Sequence, residues 1–296
     1  MPPSARPKLP TWIRVRVGTG RGRSDVAAIL RDLNLNTVCG SAECPNLNEC
    51  WHQGTATFMI LGNECTRNCR FCAVPHNKKP RQDDLEEPER VAEAAARMKL
   101  RHVVVTSVTR DDLSDGGSAV FAATIRAIRA ASKNVAVEVL TPDYLDDSLK
   151  TVLAERPDVF NHNVETVERL SAEVRSKARY RRSLDVLSSA TEISAGNILI
   201  KSGLMVGMGE TDDEVERTIR DIRAAGTDTL TIGQYLPPSN SHWPLDRYVH
   251  PDKFDEWKEL ALSLGFERVA SAPMVRSSYH AGELSKAIPE GGAGNG

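Results

Sequence analysis

The segment "NECTRNCRFCAV", residues 63–74, places three of the six cysteines, Cys65, Cys69 and Cys72, within eight positions. Thiolates are ligands for soft metals, and structural zinc sites usually take four of them or a mixed Cys/His set. The remaining cysteines form a triplet of their own, so no fourth thiol is left for this one. Three thiolates on one loop suit a cubane iron–sulfur cluster whose fourth iron stays open to a ligand from outside the protein.

The second triplet, Cys39, Cys44 and Cys50, lies in "CGSAECPNLNEC" with four and five intervening residues. It also leaves a metal centre one ligand short. An even number of cysteines allows a disulfide framework, and zinc binding or simple burial are further alternatives. We favour metal clusters, because a chain of 296 residues can build a core without disulfides and begins without a secretory signal.

Composition narrows the classes of partner. The formal net charge is −2, so a broad nucleic-acid-binding surface is not expected. No apolar run reaches the roughly 20 residues that cross a bilayer, so no membrane attachment is expected either. Residues 1–23 are basic, proline-rich and free of acidic residues, but they lack the apolar middle of a secretory signal. We expect a cytoplasmic protein, with a short transit peptide as the alternative.

The elements that position the cysteines follow a regular alternation of short apolar strands and amphipathic helices. Strands rich in Val, Ile and Leu are typical of parallel sheets that helices cover on both faces. Six such strands are predicted, at residues 55–62, 102–108, 135–140, 159–164, 198–209 and 229–236. This pattern predicts an α/β fold, a partial (β/α)6 TIM-like barrel. An open doubly wound sheet is the alternative, but no GxGxxG turn follows any strand.

Three regions are therefore expected along the chain. Residues 1–54 form an N-terminal extension that carries the second cysteine triplet, and residues 55–236 form the barrel. Residues 237–296 form a C-terminal extension with one more helix, and its glycine-rich end is expected to be disordered.

The cysteine loop carries the first family resemblance. C-x3-C-x2-C after a strand, with Phe71 before the last cysteine, resembles the radical S-adenosylmethionine superfamily. The resemblance implies a 4Fe–4S cluster on Cys65, Cys69 and Cys72 whose open iron binds the amino and carboxylate groups of S-adenosylmethionine. Electron transfer would then cleave the C–S bond and release a 5′-deoxyadenosyl radical.

A closer resemblance comes from "ECPNLNEC" together with "TSVTRDDLSDGG", "FNHNVETV", "KSGLMVGMGET", "IGQYLPPS" and "VRSSYHA". Over residues 39–281 these motifs resemble the lipoyl synthase family. The resemblance implies sulfur insertion at C6 and C8 of an octanoyl group on a carrier-protein lysine. It also implies an auxiliary 4Fe–4S cluster, the sulfur donor, on Cys39, Cys44, Cys50 and Ser278. Ser277 is the alternative ligand, and a plain surface turn is the alternative for "RSSY".

Contacts with S-adenosylmethionine are implied at the ends of the predicted strands. "DDLSDGG" would bind the methionyl amino group through Asp115, Gly116 and Gly117, although the same residues directly precede a helix and can act as its N-cap. Three further polar residues are expected to contact the ligand at the same rim: Glu138, Asn163 and Glu165. The alternative for each is a helix cap or a rim residue whose hydrogen bonds are satisfied within the protein. Gly203, Gly207 and Gly209 would let the backbone approach the adenine.

The resemblance also implies partners. These are octanoylated lipoyl carrier domains, including acyltransferase subunits of 2-oxoacid dehydrogenases and the glycine cleavage H protein. An electron donor such as ferredoxin or flavodoxin and an iron–sulfur carrier protein are further partners, and a monomer is expected. Four residues could bind the carrier protein: His242, Arg247, Arg181 and Arg182. For the three arginines, plain surface charge is the preferred interpretation. The rival functions are a biotin synthase-like sulfur-inserting enzyme and, from another class, a zinc-stabilised binding module.

Overall fold

The computed structural model describes residues 8–13, 22–38, 50–51, 54–80, 84–278 and 281. Within these ranges an eight-stranded sheet runs in chain order. The strands are β1 (Asn36–Thr37), β2 (Thr55–Ile60), β3 (His102–Ser107), β4 (Ala136–Leu140), β5 (Val159–Asn161), β6 (Leu199–Val206), β7 (Thr229–Gln234) and β8 (Arg268–Ser271).

Helices precede the sheet or connect its parallel strands. They are α1 (Gly22–Asp32), α2 (Glu87–Arg97), α3 (Ser118–Ala131), α4 (Asp146–Ala154), α5 (Glu168–Val174), α6 (Tyr180–Ser194), α7 (Asp212–Ala224) and α8 (Pro251–Ser263). Local sequence accounts for where several of them begin. A capping box of Thr211 and Glu214 opens α7, and prolines occupy the first turns of α2 and α8.

The predicted (β/α)6 arrangement is confirmed, since β2 to β7 pair in parallel with their neighbours in order. The sheet is larger than expected at both edges. A two-residue β1 pairs antiparallel with β2, and β8 adds a seventh parallel strand beside β7. The sequence of β8, "RVAS", is too short and too polar to show a strand pattern, so only its pairing with β7 identifies it.

The core lies between the sheet and the surrounding helices. Every residue of β2 and of β7 is buried, as expected for strands that are covered on both faces. On α2, one face is buried through Val91, Ala92 and Ala95. Because parallel strands share one direction, the loops after them meet at one end of the barrel, and the cysteine loop is one of these.

Among the residues that the model describes, no helix is both long enough and apolar enough to cross a lipid bilayer.

Candidate active site

The cysteine loop leaves the end of β2 through two residues with left-handed backbone conformation. Leu61 has φ 66° and Gly62 has φ 90°, so the chain turns sharply as the strand ends. The buried Glu87, at the start of α2, accepts the Leu61 N–H at 2.7 Å. Burial raises the pKa of this carboxyl group. A helix terminus thus holds the turn from which the loop departs.

Further backbone bonds close the loop. The Cys65 N–H donates to the Pro75 carbonyl at 2.8 Å, and the Asn77 N–H donates to the Cys65 carbonyl at 2.9 Å. In the middle of the loop, the Arg70 N–H donates to the carbonyl of Val174, the last residue of α5. The loop is therefore fixed at its base and on one flank before any ligand is considered.

Each of the three sulfurs accepts at least one backbone N–H. Cys65 Sγ accepts from Arg67 at 3.4 Å and from Thr109 at 3.3 Å. Cys69 accepts from Ser176, and Cys72 accepts from Val74. Hydrogen bonds of this kind to cysteine sulfur are characteristic of iron–sulfur sites. The donor set of three sulfurs with amide support therefore fits a cluster.

Burial also sets the electrostatics of the thiols. It raises the pKa of Cys69 and raises that of Cys72 to about 11, and the neighbouring sulfurs and Glu165 add to the increase at Cys72. A bound metal compensates for such a penalty, because it stabilises the thiolate directly. Cys50, Cys65, Cys69 and Cys72 are not in disulfides, and among the described residues no three Cys, His, Asp or Glu side chains are grouped to hold a single metal ion.

An ion-pair network fixes Arg67, which lies between the first two cysteines. Its guanidinium donates to Asp111 at 2.8 Å and also to the buried Asp143. Asp143 in turn pairs with Arg182 at 2.7 Å, and Asp111 pairs with Lys177 at 3.1 Å. Three loops at the same end of the barrel, those after β2, β3 and β4, are joined in this way. The sequence offered no sign of this, because isolated charged residues in loops are usually solvated.

The "DGG" segment opens α3, as the N-cap interpretation expects. The Asp115 carboxylate accepts from the N–H groups of Gly117, at 3.0 Å, and Ala119, at 2.9 Å. Gly116 and Gly117 have positive φ, and a Cβ on Gly117 would lie 2.3 Å from a methyl carbon of Leu61. This carboxylate is therefore committed to the helix, and the bond to a methionyl amino group stays a prediction for the segment as a whole.

Orphaned polar atoms lie at the ends of three successive strands. Ser107 Oγ ends β3, Thr141 Oγ1 follows β4, and Asn163 Oδ1 follows β5, and each is buried with no hydrogen-bond partner in the structure. Buried polar groups are normally satisfied. Their position at one end of the barrel is consistent with a polar ligand there, close to the cysteine loop.

Glu165 lies beside this rim in a strained conformation, with φ 71°. Its carboxylate accepts from Asn163 Nδ2 at 3.2 Å, and burial raises its pKa while the Arg175 charge opposes the rise. Arg175 is 5% exposed and donates to the Val164 carbonyl and to Ser183 Oγ. Sequence reasoning missed Arg175, because an arginine at the end of an amphipathic helix usually faces solvent.

The expectation that Glu138 lies at the rim is wrong. Glu138 is the middle residue of β4, not its end, and its carboxylate is enclosed with Lys201, His102 and Asn161 inside the barrel. The apolar run "VAVEVL" placed the strand correctly, but the sequence could not show that other strands supply partners for the charge. Glu138 is therefore removed from the candidate ligand contacts.

The auxiliary set is described only in part. Cys39 and Cys44 lie outside the described residues, whereas Cys50 is buried. Ser277 and Ser278 form a half-buried turn just after Val275, whose carbonyl packs against Gly233 of β7. The serines therefore follow a segment that lies at the C-terminal ends of β7 and β8, the end of the barrel where the cysteine loop leaves β2.

Phe71 and the glycines in and after β6 are also predicted from the sequence to lie near the ligand. Phe71 is half-buried and packs against the hydrophobic core. Gly203 and Gly207 are crowded by protein atoms: a Cβ on Gly203 would lie 2.7 Å from Asn163 Oδ1, and one on Gly207 would lie 2.2 Å from Gln234 Nε2. Close packing within the protein thus accounts for these two glycines.

Comparison with known proteins agrees with this geometry. The model of the Radical SAM superfamily matches residues 59–222. Solved structures share the fold at low identity. Methylornithine synthase (PylB) has a TM-score of 0.57 at 12% identity, covering 90% of this chain and 87% of that one. The FeFe-hydrogenase maturase HydG from Carboxydothermus hydrogenoformans has a TM-score of 0.56 at 14% identity, covering 89% and 78%.

Full-length relatives are much more similar. A lipoyl synthase of Rubrobacter xylanophilus is 54% identical over 96% of this chain and 89% of its own. Those of Methylococcus capsulatus and Chlorobium phaeovibrioides are 52% and 50% identical, over 97% and 95% of this chain and 89% and 99% of their own. Membership of the superfamily implies a 4Fe–4S cluster and S-adenosylmethionine. The chain belongs to the lipoyl synthase family, the radical S-adenosylmethionine enzymes that its cysteine triplets and barrel motifs predicted.

Proposed function

We propose that this chain inserts sulfur at C6 and C8 of an octanoyl group attached to a lysine of a lipoyl carrier protein. One structural relationship carries the proposal beyond family membership. The cysteine loop leaves the end of β2, and the segment leading to Ser278 lies across the end of β7, so both sit at one end of the barrel. A radical centre and a sulfur source must be close to one substrate, and the shared position of these two segments supports that arrangement.

Cys65, Cys69 and Cys72 would hold the first cluster, with hydrogen bonds from backbone N–H groups to their sulfurs keeping the ligands in place. The auxiliary cluster would be held by Cys39, Cys44, Cys50 and Ser278, with Ser277 as the alternative. When bound, the first cluster with S-adenosylmethionine supplies the radical chemistry that removes hydrogen, and the auxiliary cluster supplies sulfur. A serine oxygen binds iron less well than thiolate does, which suits a cluster that is consumed.

Several residues of the chain would orient S-adenosylmethionine. Asn163 and Glu165 form a hydrogen-bonded pair beside the cysteine loop, and the unpartnered Asn163 Oδ1 is free to accept from a ribose hydroxyl. Gly116 and Gly117 would present backbone at the same rim, with Asp115 fixing their conformation. Phe71 would pack beside the last cysteine. Ser107 and Thr141 join this group because their hydroxyl oxygens are buried without partners.

The partners follow from the substrate. Octanoylated carrier domains, the acyltransferase subunits of 2-oxoacid dehydrogenases and the glycine cleavage H protein, would present the acyl-lysine at the barrel end. A ferredoxin or flavodoxin would deliver electrons, and an iron–sulfur carrier protein would restore the auxiliary cluster. We propose a cytoplasmic monomer, since a single barrel with its own cofactors needs no second subunit for this chemistry.

Anaerobic turnover of an octanoyl-lysine peptide tests the function. The chain reconstituted with iron and sulfide should bind about eight iron atoms, as two 4Fe–4S clusters require. With S-adenosylmethionine and a reductant, mass spectrometry should show deoxyadenosine together with a peptide that has gained two sulfurs. Deoxyadenosine without sulfur gain would leave a radical enzyme and refute the proposed reaction.

Matched variants separate the two clusters. Cys69→Ala should abolish both deoxyadenosine formation and sulfur insertion. Cys44→Ala should still form deoxyadenosine but insert no sulfur, and it should lose about half of the iron. Full product from Cys44→Ala would show that the auxiliary ligands are misassigned.

A further inference from the structure

A loop of the C-terminal region lies directly on the cysteine loop. Its residues 239–243, here called the brace, follow β7 and precede α8. The Trp243 N–H donates to the Arg70 carbonyl at 2.7 Å, and His242 Nε2 lies 3.2 Å from the Cys72 carbonyl. Both acceptors belong to the four-residue stretch from Cys69 to Cys72. The brace therefore contacts the segment that connects two of the three thiols.

Trp243 is fully committed in this position. Its ring N–H donates to the Met208 carbonyl at 2.9 Å, and its own carbonyl accepts from the Tyr235 hydroxyl at 2.9 Å. The Arg70 guanidinium lies 4.3 Å from the centroid of the Trp243 ring, a cation–π distance. Only 9% of Trp243 is exposed. One residue, through its backbone and its ring, thus connects the cysteine loop to the segments that follow β6 and β7.

Both ring nitrogens of His242 lie within hydrogen-bond distance of a partner. A carbonyl oxygen only accepts, so Nε2 carries the proton that is donated to Cys72. Nδ1 lies 2.7 Å from the Ser239 hydroxyl oxygen, within hydrogen-bond distance. The ring is oriented on both sides, and its donor is used within the protein. This arrangement argues against His242 as a free contact for the carrier protein.

The base of the brace is also fixed. The buried Gln234 side chain donates to the carbonyls of Val206 and Arg247, and its oxygen accepts the Val249 N–H at 2.8 Å. Gly207 leaves the space that this amide fills. The loop between β7 and α8 is therefore pinned at both ends, and the brace between them has little freedom to move away from the cysteine loop.

We infer that His242 and Trp243 are positioning residues that hold the Cys69–Cys72 segment in the geometry of a cluster ligand pair. The backbone of Arg70 is hydrogen-bonded at both ends: its N–H donates to the Val174 carbonyl, and its carbonyl accepts the Trp243 N–H. Without the brace, Cys69 and Cys72 would still be three positions apart in the sequence, but the distance between their sulfur atoms would no longer be fixed. The inference rests on the proposed function for the identity of the ligand, but its geometry can be tested on the protein alone.

The test measures thiol reactivity in the cluster-free chain. Each variant is treated with iodoacetamide, and the alkylation rate of each cysteine is followed by peptide mass spectrometry. Trp243→Ala should speed alkylation of Cys69 and Cys72 on the order of fivefold, as expected for the loss of the ring N–H bond to Met208 and of the cation–π contact with Arg70. Cys65 should change less than twofold, because Thr109 and Pro75 hold it independently of the brace.

His242 provides the matched pair of variants. His242→Ala should raise the rate at Cys72 more than at Cys69, whereas His242→Gln, whose amide can donate to the same carbonyl, should restore the slow rate. Trp12→Ala, which removes an aromatic ring that packs on His250 outside the brace, should leave the rates at all three loop cysteines unchanged. If Trp243→Ala misfolds, Cys65 is alkylated faster as well. The alkylation rates of His242→Ala then test the inference.

A second measurement connects the brace with the cluster. After reconstitution of a chain whose auxiliary cysteines are replaced by alanine, His242→Ala and Trp243→Ala should release iron to a chelator several times faster than the parent. Unchanged alkylation at Cys72 and unchanged iron release in His242→Ala would overturn the inference. Faster alkylation of Cys72 in His242→Ala, in a chain that inserts no sulfur, would refute the proposed function but support the inference about the brace.

Discussion

Lys201 Nζ lies 2.8 Å from Glu138 Oε1 inside the barrel, and both side chains are only 1% exposed. His102 Nε2 lies 3.1 Å from the other carboxylate oxygen, and Asn161 Nδ2 donates to Oε1. Burial disfavours the charged carboxylate, but the Lys201 charge and the His102 contact outweigh it and lower the pKa of Glu138 to about 2. The cluster joins β3, β4, β5 and β6, so it fixes how four strands meet.

Glu138→Gln should destabilise the cluster-free chain by about 3–5 kcal/mol at pH 7, because it leaves the Lys201 ammonium buried without its counter-charge. Urea unfolding at equilibrium measures the loss. The double variant Glu138→Gln/Lys201→Met should recover much of it, since no unpaired charge remains. A double variant less stable than Glu138→Gln would show that the ion pair is not the reason.

The same pair predicts a pH dependence. The folded-state pKa of Glu138 lies below its ordinary 4.5, so its contribution to stability is present above pH 4.5 and is lost as pH falls toward about 2. The difference in free energy of unfolding between wild type and Glu138→Gln should therefore shrink over this window. A difference that stays constant down to pH 3 would contradict the depressed pKa.

His162 should make the free energy of unfolding depend on pH in a higher range. Burial, together with the Arg175 charge, lowers its pKa from 6.5 to about 4, and its ring contacts the Thr141 carbonyl and Ser183 Oγ. The unfolded chain takes up this proton below pH 6.5, so stability should fall by about 3 kcal/mol between pH 6.5 and 4 on this account. His162→Gln should show a shallower fall, whereas Ser183→Ala, which keeps the imidazole, should be less stable but equally steep.

Arg67 should be required for the stability of the cysteine loop. Arg67→Met removes its bonds to Asp111 and Asp143, leaves a buried carboxylate partly unpaired, and should destabilise the cluster-free chain by about 2–3 kcal/mol. Arg67→Lys should recover only part of this, because an ammonium cannot span both carboxylates. Arg169→Met, which breaks an exposed ion pair with Glu214, is the control and should leave the urea midpoint nearly unchanged.

Two strand glycines should separate the two halves of the proposed reaction. A Cβ on Gly233 would lie 2.2 Å from the Val275 carbonyl, so Gly233→Ala must displace the backbone that leads to Ser278. A Cβ on Gly203 would instead lie 2.7 Å from Asn163 Oδ1. We expect Gly233→Ala to form deoxyadenosine but insert little sulfur, and Gly203→Ala to form less deoxyadenosine. Identical losses in both assays for both variants would contradict this division.

The sequence by itself determined the scaffold and predicted which cysteines hold the clusters. Cys65, Cys69 and Cys72 are so close along the chain that connectivity alone keeps them on one loop, and the apolar period of β2 to β7 predicts parallel strands. Motif resemblance predicted the family, which the comparisons confirmed. The cluster ligands and the contacts of S-adenosylmethionine stay predictions, and for the auxiliary set Cys39 and Cys44 lie outside the described residues.

Only the tertiary structure decided which charged and polar groups meet. Glu138 looked like a rim residue, but β3 and β6 bring His102 and Lys201 to it across strand pairings. His242 looked like a contact for the carrier protein, but the loop after β7 carries it to Cys72, 170 residues earlier in the chain. Partners of this kind depend on strand order, register and loop path, and no local pattern of spacing or hydrophobicity encodes those.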